Sequence, residues 1–452
     1  MRSAAVPEYV GQAFQDSPPG HRFGLYFRCW SPGQWERSDA ARTEALAEST
    51  QISQTDMDWL SALLARQQSL AAESDNSVMT WSARSTAPFV TGLGMEHPSE
   101  NGFAFSSPYG MPYLPGASIK GVLRNAAERL ALGIDGQDPA GWDMLKVWLL
   151  FGFDGSAPCL TRSDASMPDM ALEQSERWRQ LYVDWVESNA WEQELARDFV
   201  RRLGCGRGWQ EQPENFLLGL ANGFPSGAGV APAELALAGN LAFWDVTIRP
   251  GGRRLDVEIL TPHYTHYYRD AHPPHESGQP VPNPFLVVPP DSEFHFFVQA
   301  CPKRLPEMLR ESWQQLVRSA FIETADWAGF GAKTAVGYGI LTEDQQVAEK
   351  AREAVAEQEV VSRQARMSAE ELAIEAVVER LEQERKSGVS SGPGGELAML
   401  RNELLNTALE WDNAELRQRA AEVVAGTVTW IAWPKKKKAE RNQALARLRD
   451  MP

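Results

Sequence analysis

Residues 327–340 read W-A-G-F-G-A-K-T-A-V-G-Y-G-I, and this stretch decides the fold. Gly329 and Gly331 remove side chains at alternate positions, so the backbone can take positive φ and approach a ligand closely. Lys333 and Thr334 supply a charge and a hydroxyl, the side chains a phosphate binds. A helical pattern precedes the loop, from Leu305 to about Thr324, and 335–341 reads as a strand after it. A Walker A loop needs Gly directly before Lys and a helix directly after; here Ala332 precedes Lys333 and a strand follows. A dinucleotide fingerprint needs a third Gly where Thr334 stands, and a strand before the loop. Two readings remain: backbone amides and Lys333 gripping a phosphodiester, or a tight turn that closes a sheet.

The chain has 452 residues, 43% of them hydrophobic, enough for two domains or one large domain with insertions. Its four cysteines, Cys29, Cys159, Cys205 and Cys301, are scattered, which indicates neither a disulfide framework nor a cysteine zinc knuckle. A reduced, cytoplasmic setting is expected, with no signal core and no apolar run long enough to span a bilayer. The net charge of −16 excludes a protein coated in nucleic acid, so any RNA must lie in a local basic groove. The acidity is concentrated before residue 346, because 346–452 hold 17 basic and 18 acidic side chains.

Read in order, 21–30 is aromatic and partly alternating, which predicts a first strand. Residues 38–73 predict one or two surface helices, and the text from Thr80 to Tyr113 reads as loop. Pro115-Gly116 is a turn, Ser118 suits an N-cap, and Ile119, Val122, Leu123, Ala126, Ala127 and Leu130 form one apolar helical face. Lys120 and Arg124 lie four apart, so two cations project beside the free amides of a helix start, a site for phosphate. The competing reading is an ordinary amphipathic helix with solvated cations.

Residues 135–238 form a mostly helical insertion; 153–238 carry 7 basic and 13 acidic side chains, so no RNA is expected there. A hairpin of 238–248 with 255–260 follows. The proline- and aromatic-rich stretch 261–284 reads as an exposed excursion, and 285–288 and 293–300 as strands. Strand, helix, two strands, helix, strand is an α+β arrangement of the ferredoxin-like or RRM-like kind, here with large insertions. Domain 1–343 is expected to be followed by an all-helical extension over 344–452. In that extension Trp430 and Trp433 read as packing, and Lys435 to Lys438 as a solvated helix start.

Three segments now stand in one order: Y-L-P-G-A-S-I-K-G-V-L-R, D-V-E-I-L-T-P-H-Y-T-H-Y-Y and G-F-G-A-K-T-A-V-G-Y-G, preceded by T-G-L-G-M-E-H-P-S-E-N-G-F. Together they resemble the RAMP superfamily of CRISPR backbone proteins, and within it the sixth-subunit family of type III-B Cmr complexes. The resemblance covers about residues 20–343, with 130–238 a poor match. It implies an RRM-like domain that helps build a ribonucleoprotein around a CRISPR guide RNA, near the guide's 3′ part. The implied partners are the guide RNA, its complementary target RNA and the other RAMP subunits of the Cmr complex. Target cleavage belongs to another subunit, so no catalysis, cofactor or metal is expected of this one. Ser118, Lys120 and Arg124 match positions along the guide backbone, and Gly329, Gly331, Lys333 and Thr334 match the glycine-rich loop. The 261–284 excursion resembles the family's projecting thumb, where Tyr264, Tyr267 and Tyr268 are suited to stack on a splayed base.

Two rivals are set beside this. His263, His266, His272 and His275 with Asp270 allow a metal site or a His-dependent ribonuclease, against which stand the broken, proline-rich context and the non-standard ligand spacing. A protein–protein adaptor without RNA contact is the other.

Overall fold

The architecture follows from one four-stranded antiparallel sheet. Its strands are β1 (Val78–Ser85), β2 (Leu241–Phe243), β3 (Glu293–Ala300) and β4 (Leu341–Glu343). They lie in the order β4–β1–β3–β2. The computed structural model describes residues 2–33, 35–74, 76–155, 157–160, 169–261 and 282–450. Helices and strands are mixed, and the chain divides into two compact units, Met1–Val355 and Ala356–Pro452.

Alternation builds the sheet. Met79, Trp81 and Ala83 of β1 are buried on one face, and Phe294, Phe296 and Val298 of β3 extend that face. Trp81 lies opposite Phe296 in the register, and β1 pairs with β3 from Val78↔Gln299 to Arg84↔Glu293. Two helices pack on this face, α1 (Gly116–Ala131) between β1 and β2, and α2 (Trp313–Glu323) between β3 and β4. The indole of Trp81 stacks on Phe321 of α2, with ring centroids 4.7 Å apart.

Helix α1 starts where Pro115 fixes the entry and Gly116 can fit. A Cβ at Gly116 would stand 2.8 Å from the carbonyl carbon of Phe243, with its oxygen closer still. The Gly116 amide donates to Asp245 Oδ1 at 2.7 Å. Ile119, Leu123, Ala126, Ala127 and Leu130 are buried, as the spacing predicts.

Several expectations are corrected. Residues 21–30 are not the first strand; Pro19–Gly24 is a short helix entered from Pro18, and Phe23 and Phe27, four apart, are both buried. The first sheet strand is β1, in a stretch whose composition reads as loop. The hairpin of 238–248 with 255–260 does not form. Ala236–Ala238, Leu241–Phe243 and Val246–Thr247 belong to three different sheets. The Leu255 amide is taken by the Thr50 carbonyl at 2.9 Å, and Asp256–Leu260 pairs with Asn283–Val287 as a two-stranded ribbon. The last strand is only Leu341–Glu343, because Thr334–Val336 is a 3₁₀ turn with glycines at positive φ after it. The helix before the glycine loop starts at Trp313 and ends in a π turn, Thr324–Ala328.

The insertion is helical over Met144–Phe151, Asp169–Glu187, Gln193–Arg202, Arg207–Glu211 and Pro213–Asn222. Its core is aromatic: Trp148 packs on Phe153, Tyr182 and Phe199.

The second unit is helical among its described residues, with the main helices Ala369–Ser387, Glu396–Thr407, Ala414–Trp430 and Lys438–Asp450. Ile374, Val377, Leu397, Leu404, Ala421 and Val424 form its core. Trp433 is buried there beneath the Arg401 guanidinium, 3.8 Å from the ring centroid, and Trp430 Nε1 donates to Glu384 at 3.1 Å. Lys435 to Lys438 are exposed.

Candidate nucleic-acid interface

The glycine loop is folded onto its own chain before it meets anything else. The Ala332 amide donates to Val90 O, and the Gly339 amide to Pro88 O, both at 2.8 Å. Phe330 N donates to Gly339 O at 2.9 Å, and the Phe330 ring is fully buried against Trp81, Phe296 and Phe321. Gly331 has φ +87°, and a Cβ there would stand 2.7 Å from Phe89 Cε2. Its close approach is therefore to the segment after β1, which closes the sheet.

The outer side of the loop differs. Lys333 adopts a left-handed conformation (φ 60°, ψ 25°), uncommon for a residue with a Cβ. Its carbonyl accepts from the amides of Val336 at 3.1 Å and Tyr338 at 3.3 Å, which holds the turn. Among the described residues the amides of Gly331, Lys333, Thr334 and Ala335 have no acceptor. The last three of these donors and the Lys333 ammonium share one turn.

Lys333 Nζ lies 5.4 Å from the Phe285 ring centroid and 5.5 Å from that of Tyr338. Tyr338 in turn donates its hydroxyl to the Glu258 carboxylate. Burial, and then that carboxylate, push the Tyr338 hydroxyl up to about 12. Glu258 and Phe285 are direct cross-strand partners, so the middle pair of the ribbon holds the lysine beside the loop. In the sequence this aromatic seat leaves one signal, Tyr338 between two glycines.

On α1 the expected residues separate. Pro115, not Ser118, is the capping position, since the helix starts at Gly116 and the Ser118 amide already bonds Pro115 O at 2.9 Å. Ser118 is exposed in the first turn. Lys120 is half-buried and has no ion-pair partner among the described residues. Arg124 is engaged: its Nε donates to Glu128 Oε1 at 2.9 Å, and its Nη1 is 3.9 Å from Asp154 Oδ2. Burial raises the pKa of the Glu128 carboxyl, and the Arg124 bond opposes that rise.

Helix α1 packs against α2 and against the π turn that opens the glycine loop. Tyr264, Tyr267, Tyr268, the histidine cluster and Asp270 lie outside the described residues, as does most of 261–284. Among the described residues no group of three or more His, Cys, Asp or Glu is placed to hold a metal ion, and no helix is long and apolar enough to cross a membrane.

The sequence model of the RAMP superfamily matches residues 83–342. This chain belongs to the RAMP superfamily. The RAMP match runs from β1 into β4, so α1, the ribbon and the glycine loop all lie inside it. The helices after residue 344 lie outside it. Over 280 residues the chain is 27% identical to the CRISPR system Cmr subunit Cmr6 of Pyrococcus furiosus, covering 59% of this chain and 68% of that protein. Solved structures similar to it include two from Cmr systems. One is a chain of a type III-B Cmr-beta complex bound to cognate target RNA, at 13% identity, with 67% of this chain and 69% of that one covered and a TM-score of 0.32. The other is Cmr6 from Pyrococcus furiosus, at 21% identity, 60% and 99% coverage and a TM-score of 0.27.

Proposed function

We propose that this protein is a non-catalytic RNA-binding subunit of a type III-B CRISPR ribonucleoprotein complex. In this reading it contacts the 3′ part of the guide RNA and the guide–target duplex, beside other RAMP subunits. The observation that carries the proposal is the superfamily match over 83–342, joined to 27% identity with a Cmr6 protein. Its core is then a ferredoxin-like, RRM-like domain, which the strand order β4–β1–β3–β2 with two helices on one face supports. Residues 1–343 are taken as the RAMP domain, with 135–238 inserted, 261–284 as a thumb and 344–452 as an extension.

The loop supports a phosphate contact. An RNA backbone bears anionic oxygens, and the turn at Lys333 offers a cation, the Thr334 hydroxyl and unspent amides. Bases then stay free to pair with a target. Lys120 and Ser118 offer a second contact on α1. Arg124 is the weaker member, because a phosphate must compete with Glu128 and Asp154 for it. Tyr264, Tyr267 and Tyr268 remain proposed for stacking in the thumb.

A salt titration tests the loop. Lys333→Ala should lower the slope of log K against log salt for single-stranded RNA by about 0.7, the loss of one phosphate contact. An unchanged slope removes Lys333 from the interface.

A further inference from the structure

We propose that Trp327 is a stacking platform for a base of the nucleic acid held at the glycine loop; this rests on the function proposed above. Trp327 is 75% exposed, whereas Phe330, three residues on, is fully buried. It is the most exposed tryptophan among the described residues, and an indole carries a large apolar face that a partner can cover. Its backbone is fixed. Trp327 lies in the π turn Thr324–Ala328, where Thr324 Oγ1 donates to Ala320 O and the Gly329 amide to Thr324 O, both at 2.8 Å. Such turns recur at functional sites. Among the described residues the indole has no ring partner and no cation over its face.

The partner has to satisfy both halves of the loop. Val336 and Ile340 are also exposed, which by itself suits an apolar protein surface. Such a surface would strand the donors of Gly331, Lys333, Thr334 and Ala335 away from water, at a cost for each. A nucleotide offers phosphate oxygens to those donors and a π-face to the indole. Asp326, exposed and adjacent in the turn, repels phosphate there and leaves the indole to the base.

The test uses the full chain and two fluorescein-labelled probes of equal length, an oligoadenylate and an abasic sugar–phosphate oligomer. Trp327→Ala should weaken oligoadenylate binding by about 5- to 150-fold, the range of about 1–3 kcal/mol for one stacked base. It should leave the abasic probe and the salt slope unchanged, since no cation is lost. Trp327→Phe should retain most of the affinity, which separates loss of stacking from loss of fold. Equal oligoadenylate binding by wild type and Trp327→Ala overturns the stacking while the RNA site stands. Loss of co-purifying protein subunits with RNA binding intact overturns it in favour of a protein dock. A wild type that binds neither probe overturns the RNA reading of the loop, and the stacking with it.

Discussion

Alanine at position 331 would place a methyl group where the glycine loop meets the segment after β1. Gly331 has φ +87°, and its new Cβ would stand 2.7 Å from Phe89 Cε2 and closer still to Val90 O. Gly337 has φ +91°, and its Cβ would meet nothing within 4 Å. Both substitutions carry the left-handed backbone penalty, about 1–2 kcal/mol. Only Gly331→Ala adds overpacking, about 1–3 kcal/mol. Gly331→Ala should therefore cost about 2–5 kcal/mol and Gly337→Ala about 1–2 kcal/mol. Amide hydrogen exchange reads this locally. The Ala332 and Gly339 amides, bonded to Val90 O and Pro88 O, should exchange faster in Gly331→Ala by the matching factor. RNA retention should fall with it, since the shift moves Lys333. Equal protection in the two variants would refute the claim that the loop is shaped by its contact with residues 88–90.

Arg124→Ala should destabilise the protein by about 1–3 kcal/mol in urea titration, because it strands the buried Glu128 carboxyl, and Glu128→Gln should relieve part of that loss. Lys120→Ala should lie within about 0.5 kcal/mol of wild type in the same titration, yet weaken RNA binding, most at low salt and progressively less as salt rises. His295 is buried, with Nδ1 3.0 Å from the Ser82 hydroxyl, and burial together with Arg249 lowers its pKa from 6.5 to about 4. The unfolded chain therefore binds the proton first, so stability is full above pH 6.5 and falls by up to about 3 kcal/mol as pH drops to about 4. His295→Gln should flatten that profile in denaturation measured across the window.

The parts of this fold that announce themselves in sequence are those whose pattern is local. Ile119, Leu123, Ala126 and Leu130 repeat at helical spacing, and the structure buries all four. Strands over 285–288 and 293–300 were equally legible, and the structure has them at Asn283–Val287 and Glu293–Ala300. β1 has its alternation too, Met79, Trp81 and Ala83 against Thr80, Ser82 and Arg84, but it lacks β-branched residues at its buried positions. In 21–30 the aromatic run hides Phe23 and Phe27 at helical spacing behind Pro18-Pro19.

Contacts between distant segments leave no such mark. The glycines of the loop read as room for a ligand, whereas Gly331 is required by Val90 and Phe89. Arg124 reads as a free cation, whereas Glu128, one turn along the same helix, takes it up. The seat of Lys333 between Phe285 and Tyr338 depends on a ribbon pairing that the hairpin reading misplaced. Nothing in the sequence distinguishes Trp327 from Phe330, yet the structure leaves the first in water and buries the second.

A RAMP chain that works on a CRISPR guide RNA inside a multisubunit complex should carry both with it out of the cell. The most direct measurement is to purify the tagged full chain from its native host, sequence the bound small RNA and identify the co-purified proteins. Repeat-derived guide RNAs should be recovered together with other RAMP subunits, and RNA retention should fall with Lys333→Ala. Protein partners recovered without RNA would contradict it and leave the glycine loop as a turn that closes the sheet.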